Sequence, residues 1–546
     1  MAPPSPFLAL PREIRDAIYE HYVAIPGGYV CDPGRFAANV LERNAASVPK
    51  INITGLLKGA NDQPINLNLC YTCRLIATEM YGVALRINPI TFTTVYSDDL
   101  RMIALRFDKL IGELEYYRHR LFYSACHTIA EKEAHHELKS TYPQFAFLLN
   151  TIREEADLSD PRFNRDGDLW ALDSYGEAPS LLSKLHREGL RHVACLDTGR
   201  DAFHRWLDRY EPHRVNYAET HDFGGMAKDP SEFWDIPQYS RLQAMAAYWP
   251  HGEDTDSIED VITKRDRVKH RFSAAAAAVL FMKSCDRALR MQLRKIIVHE
   301  DRKAVGHPAR HAQGLIPFCQ ENPLLVVERR VDLWRNAIQS EPHHRPNLSH
   351  PMSNYGTYRR DWVIESQYFS ESILIWIVEA LALAPAGMPV KSFSLVLDAE
   401  PAPHLMTEMF QAIVQHDAAW QQAWDESVKR GMIKEPSWLD GSPRMDWYPS
   451  YTFKHLPQAL RDIAEEKSVV RCNFNIGEPW DFERLVREHK GWSHANWAKN
   501  WGDEHKRKHW ETESPLPSWK SILEENLLPV PDDHVHYGDS DSELDL

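Results

Sequence analysis

Five short runs rich in β-branched and aliphatic residues, set between long stretches of helical spacing, constrain the fold of this chain most. They are residues 90–95 (ITFTTV), 292–298 (QLRKIIV), 324–334 (LLVVERRVDLW), 392–397 (SFSLVL) and 469–476. Each is short enough for a strand, although 324–334 also reads as a helix. Between them lie segments with apolar residues at helical spacing. In 99–140 these are Ile103, Phe107, Leu110, Leu114, Tyr117 and Leu121. The segments 272–290 and 366–383 are apolar and helical, and 405–430 ends at Gly431. Helices alternating with short strands predict a mixed α/β layering. The runs LRKIIV and SFSLVLD hint at a solenoid. Their spacing of about 100 residues exceeds the roughly 20–50 of true repeats.

The chain has 546 residues, which suggests about three to four domains or fewer large ones. A hydrophobic fraction of 43% supplies ample material for a core. The net charge of −15 disfavours nucleic acid as a partner, because such binders neutralise phosphates with Lys and Arg. Two basic patches, 264–271 and 506–508, are flanked by acidic residues and read as solvated helix faces. The second is also a weak nuclear-import match. The longest apolar stretches, 272–282 and 373–385, are too short or broken by Glu379, so no membrane partner is expected. No basic, apolar leader opens the sequence. Eight irregularly spaced cysteines suit a reducing compartment. The expected location is cytoplasmic or nuclear.

Residues 7–24 read as an amphipathic helix. Pro11 suits its first turn, Ile14, Ile18 and Tyr22 make one stripe, and Pro26-Gly27-Gly28 ends it. Residues 27–63 show little periodicity and read as a loop insertion. Residues 67–85 read as a second helix, and 155–260 as short helices and long loops. The closing segment 524–546 is acidic and poor in large apolar residues, so it is expected to be a disordered tail.

The pattern Leu10-Pro11-x-Glu13-Ile14-x-x-x-Ile18 resembles the opening of the F-box. It also resembles short helical modules of large filamentous-fungal proteins, which begin with a leucine-proline and an E-x-R triplet, here Glu13-Ile14-Arg15. Those proteins continue with an element of the form L-x-x-T-C-R-x-I-x-x-E. Here it is Leu69 to Glu79, followed by Asn88-Pro89-Ile90-Thr91-Phe92. Residues 299–302, 312–330 and 393–398 are similar to later segments of the same family, so the resemblance covers about half the chain. The family carries no known activity. The chain departs from the F-box at 27–63, and at Arg74-Leu75-Ile76, where Arg-x-Trp is common.

The resemblance implies an α+β, helix-rich protein with an N-terminal F-box-like helical module over 1–95 and a large mixed α/β body over 96–523. It implies a non-catalytic adaptor, with Leu10, Pro11, Ile14 and Ile18 docking on a Skp-type linker of a cullin-based ubiquitin ligase. The body would then recognise a protein. Burying a short apolar stripe in a partner groove is physically consistent with this. Two alternatives stand beside it: a non-catalytic scaffold whose N-terminal helix is core, and an enzyme centred on His299, His307 and His311 with Glu300 and Asp301.

No catalytic residue, metal or cofactor is expected. G-x-S-x-G, the P-loop, G-x-G-x-x-G and H-E-x-x-H are all missing. Cys70-x-x-Cys73 lacks a second ligand pair, so both cysteines are expected in the core. Of seventeen tryptophans, ten lie between Trp420 and Trp519, with Trp492, Trp497, Trp501 and Trp510 in one charged stretch. Core packing against 438–451 is the expected role.

Overall fold

All five strand-forming runs become strands of one sheet. The computed structural model describes residues 6–46, 56–130, 133–146, 148–150, 176–193, 222–248, 267–339, 364–433, 453–493, 496–497, 499–501 and 509–529. The sheet contains β1 (Tyr29–Cys31), β2 (Leu57–Gly59), β3 (Ile90–Thr93), β4 (Lys295–Glu300), β5 (Val326–Asp332), β7 (Phe393–Asp398) and β8 (Val470–Cys472). A separate antiparallel pair joins β6 (Ile364–Glu365) to β9 (His509–Trp510). The fold is helix-rich and mixed α/β.

The sheet order is β2-β1-β3-β4-β5-β7-β8. Only β1 and β2 run antiparallel; every other neighbouring pair is parallel. From β3 onward, spatial order follows chain order without reversal; the one turn back lies between β2, outside β1, and β3. Right-handed crossovers taken in one direction leave their connections on a single face. The Ala-rich helix Ala274–Ser284 packs on β3 and β4, and the apolar helix Ser366–Leu381 packs on β7 and β8. Neighbours in sequence are thus neighbours in space, as in a solenoid, but the strands begin at irregular positions 295, 326, 393 and 470.

Strand parity follows from this one-sided cover. Ile90 and Phe92, Ile296 and Val298, Val327 and Val331, and Phe393, Leu395 and Leu397 are buried in register. The intervening Thr91, Thr93, Ile297, His299, Glu328, Arg330, Asp332, Ser394 and Val396 are half-buried. Parallel sheets covered on both faces read as continuous apolar runs. Here VVERRVD alternates because its second face is only half-covered.

Two charges interrupt the covered face. Glu300 and Arg329 are buried and paired, Nη2 to Oε1, at 2.6 Å. The Glu300 carboxylate also accepts the amides of Ala274 and Ala275 at 3.0 and 3.3 Å, at a helix N-terminus that favours negative charge. Arg329 donates to the carbonyls of Pro308 and Ala309 and lies over the Trp376 ring. Nearly every lone pair and proton of the pair therefore has a partner, as a buried ion pair requires.

Three expectations need correction. Segment 27–63 is not a loop insertion: it holds β1, the 14-residue helix Pro33–Ala46 and β2, which form one edge of the main sheet. Gly28, at φ 73, lets the chain pass so close to Pro89 that a side chain there would collide with its carbonyl. The expected helix over 67–85 is broken into a 3₁₀ turn, Asn68–Tyr71, and short helices Arg74–Glu79 and Val83–Ile87, with Gly82 at φ 72 between the last two. The expected tail does not begin at 524. Asn526 is buried, Leu527 bridges to Val268, and Glu525 pairs with Arg302 and Arg335, each at 3.1 Å. Partners distant in sequence hold these polar residues. The remainder of the expected tail, 530–546, lies outside the described residues, as does most of 155–260.

Candidate functional site

The N-terminal helix Arg12–Val23 turns Ile14 and Ile18 of its expected stripe outward, whereas the third member, Tyr22, is half-buried against the small cluster that anchors the helix. Ile14 is 50% exposed and Ile18 is 38% exposed. Pro11 is exposed and Leu10 is half-buried. The helix is held by its other side. Tyr19 and Val23 are buried with Ile76, Met80 and Val83 in a small cluster separate from the main core. Phe7 meets Tyr19 edge to face at 5.8 Å. Further large apolar side chains stay exposed nearby in the chain: Leu67, Tyr71, Leu75, Tyr81 and Ile87. With Ile14 and Ile18 these make seven of the fourteen such residues among those described, so exposure is concentrated in the N-terminal segment.

One carboxylate ties the two sequence elements of this segment. Glu79 accepts Arg15 Nη2 at 2.5 Å and Nε at 3.0 Å, and the Tyr19 hydroxyl at 2.7 Å. Arg12 adds a contact at 3.1 Å. These hydrogen bonds, from Arg15 first and then Tyr19, hold the Glu79 carboxyl down at about 2. Arg15 Nη1 also donates to the Leu10 carbonyl at 2.6 Å, which fixes the leucine-proline turn. Asn88 braces the far end, accepting Ile25 N–H and donating to the Val23 and Ala84 carbonyls. Cys70 and Cys73 pack against the small cluster, and burial pushes the Cys70 thiol up, away from the thiolate a metal would need.

The open sheet face is the second surface. Lys295 Nζ meets Glu328 at 2.8 Å, Arg330 Nε meets the same carboxylate at 2.7 Å, and Arg330 Nη1 reaches Asp398 at 3.8 Å. Asn473 donates to Asp398 at 2.6 Å. This ladder crosses three strands and ends on Asn473, just past β8. Beside it, burial pushes the Asp332 carboxyl up to about 6. The surface offers ordered charge of both signs and few aromatic groups. The sequence hid it, because the ladder depends on strand register.

The three histidines do not share one face. His299 lies on the open face of β4, whereas its neighbour Glu300 lies on the covered face. His307 is in the left-handed region at φ 54, with its ring edge-on to Phe233 at 5.5 Å. His311 is buried. Its Nε2 donates to the Gly306 carbonyl at 2.5 Å, so its Nδ1 accepts the Ser273 hydroxyl at 2.6 Å. Ser273 in turn caps the Ala-rich helix by accepting the Ala276 amide at 2.9 Å. Burial pushes the His311 imidazole down to about 3. The pair resembles a serine–histidine dyad in composition, but its valences are spent on a helix cap. Among the described residues no group of three or more His, Cys, Asp or Glu could hold a metal ion.

Trp497 and Trp501 are buried against Trp420 and Trp424 of the helix Gln415–Lys429. Residues 438–451, their expected partner, lie outside the described residues. In the first basic patch, Arg267, Lys269 and Arg271 donate to Leu528, Glu525 and Asn526, so those cations serve the fold. No described helix is long and apolar enough to cross a membrane. No family model, curated protein or solved structure matches the chain.

Proposed function

We propose that the chain is a non-catalytic protein-interaction adaptor. Its N-terminal helix docks on a Skp-type linker of a cullin-based ubiquitin ligase, and the open sheet face of the body receives a second protein. One observation carries this reading: Ile14 and Ile18 face solvent on a helix whose opposite side, at Tyr19 and Val23, is already anchored. A scaffold with this helix as core would need Ile14 and Ile18 inside. A helix held from behind can present an apolar stripe to a groove without first ordering itself, which lowers the cost of binding. The open face supports the second half. Its strand order does not reverse from β3 to β8, so this stretch has no switch point of the kind where α/β enzymes bind small ligands.

The experiment is capture of the full chain by a purified Skp-type linker, with Leu10→Ala plus Ile14→Ala as control. The native chain binds and the double variant does not. Failure of the native chain to bind overturns the ligase assignment.

A further inference from the structure

A cavity of about 280 Å³ opens between the helix Pro33–Ala46 and the end of the Ala-rich helix. Arg43, Phe107, Trp234, Ile236, Leu280 and Lys283 contribute to its wall. Arg43 is 6% exposed, and its Nη2 donates to the Ile236 carbonyl at 2.6 Å. Its Nε is buried without a hydrogen-bond partner. A guanidinium stays charged, and a buried charge is costly unless paired. Burial accordingly holds Arg43 below its ordinary value.

The acidic groups around the cavity are already engaged. Asp235 pairs with Lys283 at 3.0 Å through one oxygen and accepts the Glu232 amide through the other. Asp229 holds Arg241, the Tyr248 hydroxyl and the Ser231 amide. Arg43 is the wall cation left over. Arg43 and Lys283 each also sit near a helix C-terminus, where a cation offsets the helix dipole. That offset is partial and leaves the guanidinium charge without an ion pair among the described residues.

We infer that this cavity binds a small organic monocarboxylate, its carboxylate on Arg43 and its apolar body against Trp234, Ile236 and Leu280. The volume lies just below the roughly 300–1,000 Å³ of common ligand sites, and a cavity of about 150 Å³ already holds one benzene ring. One ring or a short branched chain therefore fits. The wall also carries Asp235, Arg241 and Lys283, which already sit in ion pairs, so one remaining cation suits one negative charge better than the two of a phosphate. This inference is independent of the adaptor proposal.

The test is calorimetric titration of the full chain with benzoate, with benzamide and inorganic phosphate as separate arms. Benzoate binds saturably with a Kd on the order of 1 mM or tighter, and the neutral amide and phosphate do not. Arg43→Gln weakens benzoate about tenfold or more, the loss of a charge-assisted hydrogen bond. Because Arg43→Gln could unfold its helix, Leu280→Trp provides a second variant that fills the cavity and keeps the arginine. It also blocks benzoate. Equal binding of benzamide, tighter binding of phosphate, no saturable benzoate binding, or binding indifferent to both variants overturns the inference.

Discussion

Arg15 and Glu79 close on each other through two hydrogen bonds, at 2.5 and 3.0 Å, across 64 residues of chain. The pair joins the two sequence elements that resemble the fungal module. Its pH behaviour is definite. Glu79 is held at about 2 in the folded chain, below its ordinary value. A depressed carboxyl contributes stability that is present above the unfolded value of about 4.3 and is lost as pH falls towards the folded one. Glu79→Gln therefore unfolds at lower urea than the native chain at neutral pH. The gap between their midpoints closes progressively below about pH 4.

The two sides of the N-terminal helix should respond oppositely to truncation. Ile14→Ala and Ile18→Ala leave urea stability within about 0.5 kcal/mol, as exposed positions do. Tyr19→Ala removes a buried ring and its bond to Glu79, and costs about 3–5 kcal/mol. If both kinds of change cost the same, the exposed stripe is part of a core. Docking on a linker should show the reverse order for the isoleucines, with about 1–3 kcal/mol lost from binding per side chain.

The buried pair under the sheet offers a double-variant test. Glu300→Ala strands the Arg329 guanidinium and two helix-terminal amides, and costs about 3–5 kcal/mol. Replacing both residues, Glu300→Leu with Arg329→Met, recovers most of that loss, because no charge is left buried alone. Urea midpoints of the single and double variants check this. An additive loss in the double variant argues against the pairing.

His311 should remain neutral well below the usual histidine range. By NMR its ring titrates near 3, where burial has pushed it. An unfolded histidine takes up a proton near about 6.5, so the unfolded state binds more protons between those values. This group's share of stability is therefore lost as pH falls from about 6.5 towards 3. Ser273→Ala removes the helix cap and costs about 0.5–2 kcal/mol in thermal or urea unfolding.

The strands were legible because each alternates or concentrates β-branched residues, and the open face was written into Glu328-Arg330-Asp332 at every second position. The 27–63 segment was not, because strands of three residues are shorter than any window that could reveal their period. A start signal was nevertheless present there. Asp32 caps Gly34 and Arg35 ahead of the helix that begins at Pro33. The Ile14–Ile18 stripe was visible as a stripe, yet which face would be buried was not. That depended on Glu79, whose partners are fixed by tertiary packing. The cavity at Arg43 was invisible for the same reason, since its walls come from four distant segments.

The strand order also sets a timetable. β3 and β4 are neighbours in the sheet, but about 200 residues separate them in the chain. At roughly 5–20 residues per second, a ribosome needs on the order of 10–40 s to deliver β4 after β3. Throughout that interval the outer amides and carbonyls of β3 lack their final partner. Most of the danger of mispairing falls on the nascent chain, and a chaperone that shields this edge would have only that short window in which to act.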